Sequence, residues 1–96
     1  MTLMKNPSRP GEVLRELYLQ PLGLSAIALA RRLHVPRTRI ERLIKGETAL
    51  TADTAMRLSR FFGTTPEYWI NLQRSWELAR AREITDVSDI TPLEAA

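Results

Sequence analysis

The chain of 96 residues contains no cysteine, so neither a disulfide framework nor a thiolate metal site can stabilise it. A domain of this size buries only about 60 to 65% of the surface that its unfolded chain exposes. Small domains that lack disulfides and metals commonly gain stability from a partner subunit. We therefore expect an oligomer.

Long hydrophobic runs are also missing. The apolar residues are scattered at helical spacing and never form the run of about 18 that would cross a bilayer. The first ten residues contain Lys5 and Arg9 but no apolar stretch behind them, so they do not resemble a secretory signal. The sequence predicts a cytoplasmic protein without a membrane span.

Residues that carry catalysis are scarce. There is one histidine, His34, and there is no cysteine nucleophile, glycine-rich phosphate loop or metal-ligand spacing. Ser25 and Asp53 would be needed to complete a triad with His34, but both are explained as residues that start helices. We expect neither enzyme activity nor a metal or cofactor.

Charge is segregated along the chain, although the net charge is only +3. Between Arg31 and Lys45 there are six cations and one acid, Glu41, whereas residues 83–96 contain four acids and no cation. A basic stretch favours a phosphate-rich partner. An acidic run is most often merely solvated.

Capping residues and the spacing of apolar side chains predict an all-α domain of five helices over residues 1–82. The fifth and longest helix should cover about 65–82. Beyond it, the acidic extension 83–96 is either a short strand or disordered. The residues that mark helix starts are Pro10, Ser25, Pro36, Thr51 and Thr65.

The segment from about 25 to 45 has the spacing of a helix-turn-helix. Ala30 is small enough to let the two helices approach closely, and His34 falls where the turn needs a left-handed backbone, a position usually filled by glycine. Residues after the turn must bury the inner face of the second helix. They are Val35, Ile40 and Leu43.

With those positions inward, the outer face of the third helix is basic and suits the major groove. Arg37 and Arg42 can each make a bidentate contact with guanine, and Thr38 can touch a thymine methyl group. Solvated arginines would give a similar composition, but the inward pattern independently marks this same helix for recognition. Candidate phosphate contacts are Arg39, Lys45 and the backbone N–H groups at Ser25, Ala26 and Gly46.

Three stretches resemble the HigA-type antitoxins, also called virulence-associated protein I, within the Xre/Cro-like class. They are RPGEVLRELYLQPLGLS at 9–25, ALARRLHVPRTRI at 28–40 and LTADTAMRLSRFFGTTPEYWINLQ at 50–73. The last is the most specific, because a generic helix-turn-helix needs no such ending. The resemblance implies a lambda repressor-like fold and a homodimer on a palindromic operator in its own promoter. It also implies neutralisation of a HigB toxin, a RelE-like mRNA endonuclease.

Two other functions stay open. One is a stand-alone Xre-family repressor of the prophage type, without a toxin partner. The other is a protein–protein adaptor that has lost DNA binding. A small basic RelE-like reading frame beside the gene would favour the antitoxin.

The fifth helix carries a candidate dimer interface. Trp69, Leu72, Trp76 and Ala79 follow one another at spacings of three, four and three. Aromatic residues at helical spacing more often complete the monomer core, and we expect that role for Trp69 and an interface role for Trp76. The acidic tail could contact a basic toxin, cross to the other subunit or remain free, and we favour disorder or the crossover.

Overall fold

A computed structural model describes residues 7–94, and within that range the chain forms five helices and no strand. The predicted all-α architecture is confirmed. Residues 1–6 of the predicted domain and 95–96 of the predicted tail lie outside the described residues. Helix α1 runs continuously over 10–22 in three segments, Pro10–Val13, the π-helical Leu14–Leu19 and Gln20–Leu22. The other helices are α2, Ala26–Leu33; α3, Arg37–Lys45; α4, Ala52–Phe62; and α5, Pro66–Ile84.

Helix starts follow the expected capping chemistry. The side-chain oxygens of Ser25, Thr51 and Thr65 each accept a hydrogen bond from the backbone N–H three residues later. Pro36 is one position off the expectation, because its extended backbone, with φ −62° and ψ 144°, makes it the cap rather than the first residue of α3. Each of these caps pairs or removes an N–H that the first turn cannot bond internally.

The π-helical turn in α1 has a cause in Pro21, whose ring would clash with the Leu17 carbonyl in a regular α-helix and which has no N–H to donate. The Gln20 N–H bonds to the Arg15 carbonyl five residues back, which widens the helix just before the proline. The extra residue rotates the buried face. A regular α-helix would put Leu17, three residues after the buried Leu14, on that face, but Leu17 is 65% exposed and Leu19 is buried in its place.

Trp69 lies at the centre of the core and is fully buried. Its ring packs 5.1 Å from that of Tyr18 and 6.3 Å from that of Phe62, and its Nε1 donates to Thr64 Oγ1 at 2.7 Å. The indole therefore joins α5 to α1 and α4. With no exposed surface left, Trp69 has the core role and is removed from the candidate dimer interface.

Helix α1 also crosses α3 at very close range. A Cβ built on Gly11 would lie 1.9 Å from the Leu43 carbonyl oxygen and 2.9 Å from the Ile44 Cα. Only glycine permits this approach, so Gly11 determines how closely α3 packs against α1.

No helix within residues 7–94 combines the length and apolar character needed to cross a membrane. Residues 85–94 contain a turn, closed by the Ile90 N–H bonded to the Val87 carbonyl at 3.0 Å. The short strand considered for the tail is not formed in this described part.

Candidate nucleic-acid interface

Helices α2 and α3 form the helix-turn-helix that the sequence predicts. His34 is the one non-glycine residue with positive φ among the described residues, and its φ of 61° and ψ of 44° confirm the left-handed turn. The Val35 N–H bonds to the Ala30 carbonyl at 3.0 Å, which closes the end of α2. Ile40 and Leu43 are buried, so the inner face of α3 is the expected one, and Ala30 is buried on the facing helix α2.

The outer face of α3 is open to solvent at its centre. At about 100° per residue, Thr38, Arg42 and Lys45 point roughly 140 to 160° away from the buried Ile40. All three are exposed. Arg37 is exposed too, but it lies about 60° from Ile40, at the N-terminal edge of the face rather than in its middle. The structure thus brings Thr38, Arg42 and Lys45 together on one face and places Arg37 beside them.

Arg39 has a partner that the sequence did not indicate. Its Nη1 lies 2.5 Å from Asp53 Oδ1 at the start of α4. Asp53 Oδ1 also accepts a hydrogen bond from Arg57 Nε at 2.8 Å. Arg39 was expected simply as a free phosphate contact, whereas here it is half of an ion pair with its side chain 42% exposed.

Arg57 links this ion pair to the turn. Its Nη1 donates to the Leu33 carbonyl at 2.8 Å and more weakly to the His34 carbonyl at 3.4 Å. Carbonyls at a helix C-terminus lack partners inside the helix, and a cation there also complements the helix dipole. The network Arg39–Asp53–Arg57 therefore connects the recognition helix to the turn that precedes it.

The charge of Asp53 is maintained by this network. Hydrogen bonds from Arg57 and then from Arg39 hold the pKa of Asp53 below its ordinary value. The carboxylate stays ionised at neutral pH, and both arginines keep their partner. The spacing of Asp53 and Arg57 along α4 was a signal that sequence reasoning could have used. Nothing in the sequence linked Arg39 to a residue fourteen positions away.

The backbone positions differ from one another in availability. The Ser25 hydroxyl accepts a hydrogen bond from the Ala28 N–H. The Ala26 N–H, at the start of the same turn, has no partner inside the helix. The Gly46 N–H was expected to bind phosphate, but it already donates to the Leu43 carbonyl at 3.1 Å. That expectation is corrected, because the helix end uses this donor itself.

Helix α5 contacts the segment that follows α3. The Leu50 N–H donates to Oε1 of the buried Gln73 at 2.9 Å. The Arg9 guanidinium lies 4.7 Å over the Trp76 ring and packs against Gly46, where an added Cβ would be 2.6 Å from Arg9 Nη1. Sequence reasoning missed both contacts.

The remaining candidate interface residues, Leu72, Trp76 and Ala79, are all half-buried within the protomer. Part of the Trp76 ring is already covered by Arg9. Each of the three keeps some exposed surface that a second subunit could bury, so they stay a predicted interface.

Known proteins resemble this arrangement over most of its length. The helix-turn-helix family HTH_3 matches residues 14–69. Virulence-associated protein I of Dichelobacter nodosus is 49% identical over 74 residues, which cover 77% of this chain and 68% of that protein. The solved structure of antitoxin GraA in complex with its operator is 36% identical with a TM-score of 0.88, covering 99% of this chain and 98% of that one. Pseudomonas aeruginosa antitoxin HigA with the higBA promoter is 35% identical with a TM-score of 0.83, covering 93% and 100%.

Proposed function

We propose that this chain, which belongs to the HTH_3 helix-turn-helix family and to the group of HigA antitoxins within it, is a DNA-binding antitoxin that represses its own operon. The observation that carries the proposal is the exposed basic face of α3 behind a correctly formed left-handed turn. Relatives with the same fold have been solved on operator or promoter DNA, which supports DNA as the partner of this chain.

The residues of α3 have different roles in DNA binding. Arg42 and Arg37 each pair with guanine in the major groove, a contact worth roughly 1 to 3 kcal/mol of discrimination against a wrong base. Thr38 contacts a thymine methyl group. Lys45 binds phosphate, as do the first-turn N–H groups of α2 at Ala26. Arg39 contributes positive charge at the edge of the site while Asp53 fixes its position.

The protein acts as a homodimer on a palindromic operator. A single α3 covers only a few base pairs, and two-fold symmetry places two such helices about 34 to 36 Å apart, one turn of duplex. Leu72, Trp76 and Ala79 of α5 supply the surface that the subunits share. The chain is cytoplasmic, where its promoter lies.

Its second partner is a HigB-type toxin, an mRNA endonuclease of the RelE-like class, which the chain neutralises by binding. The chain itself has no catalytic role in this scheme. What supports the toxin pairing is the kinship with the antitoxins HigA and GraA. A stand-alone repressor would share the DNA-binding face but lack this partner.

Two measurements test the proposal separately. Fluorescence anisotropy with a duplex from the chain's own promoter should give affinity well above that for a shuffled duplex, and the affinity should fall steeply with salt. In cells whose growth is arrested by expression of the neighbouring toxin gene, co-expression of this chain should restore growth. Equal affinity for both duplexes would refute specific DNA binding, and specific binding without rescue would identify a stand-alone repressor.

A further inference from the structure

A groove of about 520 Å³ lies between the C-terminal end of α2 and the outer side of α4. The residues that give it its character are Arg32, Met56, Arg60 and Phe61, and we call it the basic–apolar groove. Met56 is 60% exposed, and the Arg32 guanidinium lies 5.1 Å over the Phe61 ring. No acid lines the groove in the part of the chain that the structure describes, and there neither Arg32 nor Arg60 forms an ion pair.

The acidic tail has the complementary composition. Apolar residues recur at every third position, and acids precede them at the same interval. Structures with three residues per turn, such as polyproline II or a 3₁₀ turn, place each set on its own edge. The apolar set is Ile84, Val87, Ile90 and Leu93, which are 58 to 97% exposed, and the acidic set is Glu83, Asp86 and Asp89.

We propose that the tail of one protomer docks into the basic–apolar groove of a second copy of this chain. Val87 and Ile90 cover Met56 and Phe61, while Asp86 and Asp89 approach Arg32 and Arg60. Within the described residues Glu83 pairs with Arg80 at 3.3 Å, but Asp86 and Asp89 form no ion pair. The groove and this part of the tail are therefore complementary in charge and in apolar contact. The inference rests on the homodimer of the proposed function.

Geometry favours a second copy over the chain's own tail. Helix α5 begins four residues after Phe62 and runs for about 28 Å, which carries the start of its own tail away from α4. A two-fold pairing of α5 helices centred on Trp76 is antiparallel, so it places the second copy's helix end opposite Tyr68, close to the end of α4. The ten residues 85–94 reach at most about 33 Å, enough to enter the groove from there.

DNA phosphate is the competing occupant of the arginines. It would satisfy Arg32 and Arg60, but it would leave Met56 and Phe61 exposed to water, whereas the tail covers both kinds of surface at once. The experiment must therefore separate tail docking from DNA binding.

Because the chain has no cysteine, single cysteines report contacts without background. Met56→Cys and Ile90→Cys proteins, mixed and allowed to exchange subunits, should form a disulfide between copies on mild oxidation. The matched control is Leu17→Cys, which is similarly exposed but lies on α1, away from the groove. Its mixture with Ile90→Cys should stay almost uncrosslinked.

Charge reversal adds a second readout. Arg32→Glu with Arg60→Glu in the Met56→Cys copy should reduce crosslinking to the control level, and Asp86→Arg with Asp89→Arg in the Ile90→Cys copy should restore it. Failure of the mixed crosslink in a protein that sediments as a dimer and binds its promoter would overturn the docking and leave the proposed function intact. A double Met56→Cys, Ile90→Cys chain that closes only within itself would also overturn it. Weaker promoter binding by the arginine variants, without any effect on crosslinking, would assign the groove to DNA instead.

Discussion

Asp53 holds Arg39 and Arg57 at the same carboxylate oxygen, at 2.5 and 2.8 Å. Arg57 in turn donates to the Leu33 carbonyl and, more weakly, to that of His34. A left-handed histidine in place of glycine costs backbone strain, and this network bonds the carbonyls on either side of the strained position. The recognition helix, the turn and α4 therefore depend on one acid.

Replacing Asp53 with asparagine should lower the melting temperature at neutral pH and loosen the turn. The pKa of Asp53 is lowered in the folded protein, so its stabilisation is complete above the ordinary pKa of the unfolded chain and disappears as pH falls through the folded value. The difference in melting temperature between wild type and Asp53→Asn should thus be largest near pH 7 and vanish in strong acid.

Glu47→Gln is the matched control for this pH series, because Glu47 is exposed and forms no ion pair among the described residues. It should follow the wild-type curve throughout. If the melting temperature of Asp53→Asn were lower than that of wild type by the same amount at every pH, the electrostatic explanation would be wrong and a packing effect would be indicated.

Alanine substitutions on α3 should separate base contacts from phosphate contacts. Arg42→Ala should weaken promoter binding by roughly tenfold or more and relax the preference at one position of each half-site. Lys45→Ala should weaken binding to all duplexes similarly and reduce the salt slope by about one unit per site. Anisotropy titrations against single-base operator variants make this distinction.

Arg37 offers a stricter test of the same assignment, since it lies at the edge of the face rather than at its centre. Arg37→Ala should relax the preference at the outer or inner end of the half-site, not at the base pairs contacted by Arg42. If both arginine variants retain wild-type affinity and specificity, the α3 face is not the reading surface.

The sequence sufficed where local chemistry decides the structure. Caps such as Ser25 and Thr51 and the turn at His34 obey rules that act within a few residues, and all were predicted. The side of α1 that is buried after Leu14 could not be predicted, because a π-helical turn ahead of Pro21 rotates the buried face. Contacts across the fold, such as Arg39 with Asp53 and Leu50 with Gln73, depend on how helices are brought together, and a single sequence carries no signal for them.

Gly11→Ala should destabilise the domain by about 2 kcal/mol or more, because its Cβ would overlap the Leu43 carbonyl oxygen. The recognition helix would have to move outward, so promoter affinity should fall as well. Gly23→Ala is a useful comparison, since Gly23 also has a special conformation but nothing lies within 4 Å of its added Cβ. It should lose about 1 kcal/mol by denaturant unfolding and keep full promoter affinity.

Ionisation of the Tyr18 hydroxyl should lower the stability of the folded protein at alkaline pH. Burial, followed by the neighbouring Tyr68 hydroxyl, raises the pKa of Tyr18 to about 12 from an ordinary 10.0. A raised pKa favours the protonated form in the folded state, so its stabilisation is complete below pH 10 and is lost as pH rises towards 12. Thermal unfolding between pH 8 and 12 should therefore show a steeper decline for wild type than for Tyr18→Phe. Parallel declines would exclude this explanation.

Ala79→Asp should disrupt the dimer, because it places a charge at the C-terminal end of the half-buried stripe of Leu72, Trp76 and Ala79. Analytical ultracentrifugation should detect monomers at concentrations where wild type is dimeric, with a parallel loss of promoter affinity. Leu78→Asp is the control: Leu78 neighbours Ala79 in sequence, but its side chain is 54% exposed and points about 100° away from the stripe. An unchanged dimer in Ala79→Asp, or equal disruption by Leu78→Asp, would place the subunit interface elsewhere on the domain.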